Sequence, residues 1–237
     1  MQSRFRRSLW GATRFLVVLT AFSPTPVAYS GEHDGEWWTK LTLEKDLTEL
    51  GFPTDSELVL DYEPRKDRDM ENVFQESLGV GLNLPIPTMK KWSLGSFYRR
   101  FDRNGNPDEN RYYFDLTREF ESSRATGWDL ALRSRFELRD FVGQPHLEYR
   151  LRQRVEMLHD LPLKVDDKAL RLFANGEGFL DFQDDKWNRY RLGGGLIVPL
   201  RGGATLRLGY QLEANRPARE SSWDYDSMLV TELGFRF

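Results

Sequence analysis

Residues 128–157, WDLALRSRFELRDFVGQPHLEYRLRQRVEM, carry charge and apolar side chains in strict alternation over two successive segments. Six arginines share this spacing of two, namely Arg133, Arg135, Arg139, Arg150, Arg152 and Arg154. The residues between them are mostly aliphatic or aromatic. Alternation with period two indicates a β-strand with one polar and one apolar face. The stretch therefore predicts a β-hairpin that is charged on one side and apolar on the other.

The first thirty residues differ from the rest of the chain. Four arginines precede the apolar run FLVVLTAF (15–22), and small residues at Ala28 and Ser30 suit cleavage before Gly31. This pattern is typical of a secretory signal peptide. We therefore expect a signal peptide over 1–30, followed by a single exported domain over 31–237.

Charge argues against nucleic acid as the partner of the arginines. The 237-residue chain has 34 basic and 37 acidic residues. Removal of the four arginines in 1–30 would leave 30 basic residues and a net charge of −7. A net-acidic exported protein is a poor nucleic-acid binder. The chain has no cysteine, which excludes disulfides and thiolate metal sites.

Period-two alternation recurs along the whole chain after residue 36. It predicts eleven strands, at 37–47, 57–65, 73–84, 92–101, 111–120, 128–139, 146–157, 169–182, 188–199, 204–214 and 226–237. Polar connectors such as DRNGNPDEN (102–110) alternate with tighter ones such as PLRGGA (199–204). This rhythm favours an up-and-down meander with long loops at one end and short turns at the other.

The strands are about ten residues long, which is enough to cross a bilayer at a tilt. Their polar faces carry both signs of charge, which suits ion pairs in a closed interior. We therefore predict an all-β, transmembrane, up-and-down antiparallel β-barrel of 10–12 strands in the outer membrane of a Gram-negative bacterium. A periplasmic sandwich or a closed periplasmic ligand-binding β-barrel remains the alternative.

The number of strands in the predicted barrel is expected to be even. Bacterial barrels made of one chain have even strand numbers and return both termini to the periplasm. Eleven segments would break that rule, so twelve strands are favoured. The segment at 37–47 is the first candidate for one that does not span.

The charged residues on the polar faces are predicted to line the lumen. They are Arg133, Arg135, Glu137, Glu148, Arg150, Arg152, Arg154, Glu177, Arg189, Arg191 and Arg207. Such a lumen could form a narrow, porin-like pore that attracts small anionic solutes, or it could be closed by ion pairs as a structural plug. Both readings stay open, as does the oligomeric state.

The last eleven residues, SMLVTELGFRF (227–237), alternate and finish with Phe235 and Phe237 on the apolar face. This ending resembles the signal by which the barrel-assembly machinery recognises outer-membrane proteins.

The chain from about 37 to 237 also resembles an outer-membrane barrel family catalogued as domain of unknown function 2490. The residues that carry the resemblance are EWWTKLTLEKDL (36–47), LRSRFELRDF (132–141), EYRLRQRVEM (148–157), FANGEGFLDF (173–182), NRYRLGGGLIVPL (188–200) and LRLGYQLE (206–213). The resemblance implies a barrel in contact with outer-membrane lipid, and it implies no activity.

No pattern in the chain predicts catalysis. The three histidines, His33, His146 and His159, fall too far apart to share a metal. His146 near Asp140 is the one candidate for an acid–base pair at the rim, and a solvated loop histidine is the simpler reading. We expect no metal, no cofactor and no catalytic residues. An outer-membrane enzyme acting on lipid or peptide stays an alternative.

Overall fold

The computed structural model describes residues 35–67, 72–120, 127–184, 186–216 and 222–237. Eleven β-strands occupy these ranges: β1 (Gly35–Asp46), β2 (Glu57–Lys66), β3 (Val73–Pro85), β4 (Trp92–Arg103), β5 (Glu109–Phe120), β6 (Trp128–Phe141), β7 (Leu147–Val165), β8 (Lys168–Asp181), β9 (Lys186–Pro199), β10 (Ala204–Asn215) and β11 (Asp224–Arg236). The predicted signal peptide, 1–30, lies outside the described residues. No helix in the described ranges is long and apolar enough to cross a membrane.

The eleven strands form one closed barrel, in which each strand is antiparallel to the next along the chain. The barrel closes between β1 and β11, which run parallel, with Gly35 opposite Ser227 and Glu44 opposite Arg236. All eleven predicted segments are therefore strands, and the all-β barrel is confirmed.

The favoured count of twelve strands is wrong for the described residues, and the segment 37–47 does join the barrel as β1. The even-number expectation assumes antiparallel closure. A parallel ladder also pairs the backbone N–H and C=O groups, so an odd number of strands can close.

Because the number of strands is odd, the two ends of the described chain lie at opposite ends of the barrel. We call the end where β1 begins the N-end, and the end where β11 finishes the C-end. The expectation that both termini lie on one side is therefore wrong for this barrel. The predicted sorting of the connections holds in part: the polar connection 104–108 lies at the N-end and the tight connection 200–203 at the C-end, but the ten-residue connection 47–56 also lies at the C-end.

Side chains alternate between the barrel interior and its outer face. On β6, Glu137 is fully buried, whereas Leu132 and Phe136 are 40% and 38% exposed on the outside. Eleven strands about 4.8 Å apart and tilted by about 40° enclose a backbone cylinder roughly 22 Å across. Long side chains that project from opposite walls of such a cylinder fill much of its interior.

Candidate functional site

The barrel interior holds a cavity of about 1650 Å³. Most of the predicted lumen residues border it: Arg133, Arg135, Arg150, Arg152, Arg154, Glu177, Arg189, Arg191 and Arg207. Glu137 and Glu148 also point inward, and each accepts a hydrogen bond from an arginine of the cavity wall. The eleven residues selected by alternation therefore lie on one continuous inner surface.

Glu109 at the start of β5 joins three arginines near the N-end. Its carboxylate accepts hydrogen bonds from Arg103 Nη2 at 2.5 Å, Arg111 Nε at 2.6 Å and Arg139 Nε at 2.9 Å. The Glu109 side chain has no exposed surface. Burying a carboxylate is costly unless charged donors satisfy its oxygens. Three guanidinium groups on β4, β5 and β6 meet that need.

Arg152 on β7 bridges two neighbouring strands in the middle of the wall. It donates from Nη1 to Glu137 on β6 at 2.7 Å and from Nη2 to both oxygens of Glu177 on β8 at 2.9 Å. The side chains of Glu137 and Glu177 are 0% and 5% exposed. Arg152 is therefore the main partner of two buried carboxylates.

Aromatic rings lie beneath the arginines of the inner wall. The Phe179 ring centroid is 4.6 Å from Arg152 Cζ and 4.8 Å from Arg191 Cζ. Arg65 stacks on Trp38 at 3.6 Å. Cation–π contacts of this kind help to hold a guanidinium group against the wall. Sequence reasoning missed these inner rings because it assigned aromatic residues to the outer face.

Inward-facing glycines make room for other inner rings. A Cβ atom on Gly81 of β3 would lie 1.9 Å from Cδ1 of Phe97 on β4, which is far inside contact distance. Phe97 in turn stacks on Tyr113 of β5, with 4.9 Å between ring centroids. Gly81 is therefore required by close packing, because any larger side chain would displace the Phe97–Tyr113 stack.

The cavity wall is rich in positive charge. Among the described residues that border it, seventeen are arginine or lysine and nine are aspartate or glutamate. The buried carboxylates of Glu109, Glu137 and Glu213 lie behind that lining, hydrogen-bonded to its arginines. Guanidinium groups consequently face the cavity while many of their carboxylate partners do not. The wall also includes residues from connections at both ends of the barrel, such as Asn106 at the N-end and Lys90 at the C-end.

Residues 35–222 match the family described as Protein of unknown function (DUF2490). The chain belongs to this family. The match covers β1 to β10 and ends before β11. Searches of the curated proteins and of the solved structures found no match.

The outer face of this DUF2490 barrel is apolar. Its exposed side chains include Leu60, Leu78, Val80, Leu82, Leu94, Phe114, Leu116, Leu132, Phe136, Val155, Met157, Leu192, Leu196, Leu208 and Leu212. Between residues 128 and 138 the outward positions of β6 carry no charge. Two polar side chains within this surface satisfy each other, since Ser134 donates to Gln153 across the β6–β7 ladder at 2.8 Å.

The two described histidines lie at opposite ends of the DUF2490 barrel. His146 is exposed in the connection before β7. His159 is near the C-end, where its ring stacks on Trp128 with centroids 4.9 Å apart. No group of three or more acidic, histidine or cysteine side chains in the described ranges is arranged to hold a metal ion.

The last strand of the barrel is tied to the first by backbone contacts at the C-end. The Phe237 N–H donates to the Glu44 carbonyl at 3.0 Å, and the Phe237 carbonyl accepts from the Asp46 N–H at 3.1 Å. Phe237 as a whole is 64% exposed. Its ring is therefore accessible at the rim while its backbone continues the closing ladder.

Proposed function

We propose that this DUF2490 chain is an outer-membrane β-barrel, exported by a signal peptide over residues 1–30, whose lumen is a narrow passage for small polar solutes with a preference for anions. The observation that carries the proposal is the inversion of polarity. Charged side chains fill the interior, and apolar side chains cover the outside.

The outer face supports the membrane part of the proposal. Soluble proteins rarely expose contiguous apolar surface, since each Å² left in water costs about 25 cal/mol. The uncharged outer stretch of β6, residues 128–138, would span about 25 Å at a rise of ~3.3 Å per residue and a tilt of ~40°. That height equals the apolar band of outer-membrane barrels. Ser134 and Gln153 hydrogen-bond to each other, as polar groups must where no water can reach them.

The cavity supports the passage. Its wall includes residues from connections at both ends of the barrel, and its lining has nearly twice as many basic as acidic side chains. A pore lined by arginine and lysine favours anions over cations. The ion pairs behind the lining hold the guanidinium groups in place and keep the lumen narrow.

A periplasmic barrel that carries an apolar ligand would need the opposite arrangement. Ligand cavities of that kind are lined mostly by apolar and aromatic side chains. Here arginines lie over the inner rings Phe179 and Trp38. The charged interior therefore favours an aqueous passage over a lipid-binding pocket.

Planar-bilayer recording of the purified, folded protein tests the passage. We expect discrete conductance steps and a reversal potential shifted towards that of the anion in a salt gradient. Steps that select cations, or a silent bilayer that contains the folded barrel, would contradict the passage.

Cell fractionation tests the membrane part separately. We expect the protein in the outer-membrane fraction, with a band on unboiled gels that shifts on heating because a closed hydrogen-bonded barrel resists detergent. Recovery from the soluble periplasmic fraction without detergent would contradict the membrane location.

A further inference from the structure

Four arginines of the β6–β7 hairpin lie directly opposite one another on the inner face. Arg133 pairs with Arg154 and Arg135 with Arg152 in the β-ladder. Like charges at directly opposite positions destabilise a sheet unless other groups neutralise them. The acids around this arginine cluster therefore decide which of its guanidinium groups remains available to a solute.

Arg135 and Arg152 bind the carboxylates that lie nearest to this cluster. Arg135 donates from Nε and Nη2 to the two oxygens of Asp115, each at 2.7 Å. Arg152 reaches both oxygens of Glu177 at 2.9 Å. Two-point contacts between arginine and carboxylate are among the strongest ion pairs that proteins form.

Arg133 is left with the residual contacts of those two acids. Its Nη2 lies 3.2 Å from Glu177 Oε1, and its Nη1 lies 4.0 Å from Asp115 Oδ2. Its Nε is buried and has no hydrogen-bond partner, so the two Nη atoms are the donors that can face the cavity. The side chain is 23% exposed and borders the cavity. Arg133 is therefore a cation whose neighbouring acids already hold other arginines more tightly.

Arg154 presents a second guanidinium group beside Arg133. It hydrogen-bonds to Glu156 on its own strand, and Glu156 also accepts from Arg207 Nη2 at 2.9 Å. The Arg154 side chain is 25% exposed, and it too borders the cavity. Arg150, whose Nε also lacks a partner, differs because its side chain is only 8% exposed.

We infer that Arg133 and Arg154 form a binding site for a small oxyanion, a phosphate or carboxylate group, on the wall of the lumen. An oxyanion there would add acceptors for Arg133 beyond its single hydrogen bond to Glu177, and it would reduce the repulsion between the two arginines. The inference rests on the proposed function only in taking the lumen to be filled with water.

Titration calorimetry with inorganic phosphate tests the site on the folded protein in detergent micelles, in a buffer without competing oxyanions. We expect saturable binding of phosphate, and competition by acetate at higher concentration. Arg133→Gln should weaken phosphate binding by about tenfold or more, because it removes a charge-assisted contact.

A second variant supplies the missing acid instead of removing the arginine. Thr117 lies opposite Arg133 in the β5–β6 ladder and borders the cavity. Thr117→Asp should pair with Arg133 and abolish phosphate binding while the barrel keeps its heat-modifiable band. Arg201→Gln is the control, since Arg201 is 90% exposed and is not among the cavity-lining residues. Its phosphate affinity should equal that of the wild type.

Phosphate binding that is absent in the wild type, or unchanged in folded Arg133→Gln, would overturn the site. Failure of the proposed passage looks different. A barrel that binds phosphate in micelles but is silent in bilayers keeps the site and loses the passage. A barrel that conducts but shows no saturable phosphate binding keeps the passage and loses the site.

Discussion

The outer and inner faces of the β6–β7 hairpin use the same backbone and opposite chemistry. On the outer face, Leu132 lies opposite Val155, and the polar side chains of Ser134 and Gln153 hydrogen-bond to each other. On the inner face, Arg152 is bound by two buried carboxylates. The polar groups in the middle of the outer face of this hairpin pair with each other, whereas the inner face consists of charges that need partners.

The inner face also contains a contrast of its own. Arg152 and Arg133 are both inward-facing arginines near Glu177, and they differ in how that acid binds them. Arg152 contacts both oxygens of Glu177, and Arg133 contacts one at 3.2 Å. The same substitution at the two positions should consequently have very different effects.

Arg152→Gln should have the largest effect on stability. It leaves Glu137 and Glu177 buried without their main partner, and removal of one member of a buried ion pair costs roughly 3–5 kcal/mol. Urea unfolding of the protein in lipid vesicles measures the loss in the free energy of unfolding. A loss below about 1 kcal/mol would mean that water, rather than Arg152, solvates these carboxylates.

Leu132→Arg tests the outer face directly. An arginine on the lipid side near the bilayer midplane should cost about 2–4 kcal/mol. The same unfolding assay measures it, with Leu132→Ile as the control that keeps the position apolar. An outer face in contact with water would accept the arginine with no loss of stability.

Gly81→Ala tests the packing of the inner wall. The added methyl group would meet the Phe97 ring, and overpacking of this kind costs about 1–3 kcal/mol. Gly176→Ala is the matched control on the outer face, where a Cβ atom finds its nearest neighbour, Leu192 Cδ2, at an ordinary 3.4 Å. Equal stability of the two variants would show that the Phe97–Tyr113 stack is not a fixed part of the wall.

Arg133→Gln should have the smallest effect on stability, within about 1 kcal/mol, since loosely held ion pairs contribute little. Its neighbours Asp115 and Glu177 keep their contacts with Arg135 and Arg152. Urea unfolding of Arg133→Gln and Arg152→Gln under the same conditions compares their free energies of unfolding. Similar losses of stability for the two variants would show that Arg133 is held by its acids as strongly as Arg152 is.

Alternation alone located the strands of this barrel. The segment 128–139 became β6 with a two-residue extension, and 204–214 became β10 with a one-residue extension. This success has a physical basis, because a closed barrel requires the same side-chain period on every strand. The end of β7 was missed by eight residues, since residues 158–165 no longer alternate clearly between charged and apolar side chains.

Closure and pairing could not be predicted in the same way. The parallel contact of β1 with β11 joins residues almost 200 positions apart, and no local sequence pattern predicts which strands pair. The partners of Arg152 depend on the register of three strands, which places both Glu137 and Glu177 diagonally from it. The inner position of Phe179 was hidden because its side chain is apolar while its face is charged.

A cysteine scan through residues 146–157 tests the central claim, that β7 separates a lipid-facing outer side from a water-filled lumen. The chain has no native cysteine, so every label reports a single position. In lipid vesicles, a lipid-phase probe should label positions 147, 149, 151, 153, 155 and 157, and a water-soluble thiol reagent should label the alternate set that includes Arg152 and Arg154. Labelling of both sets by the water-soluble reagent, or labelling without a period of two, would contradict the membrane-barrel account.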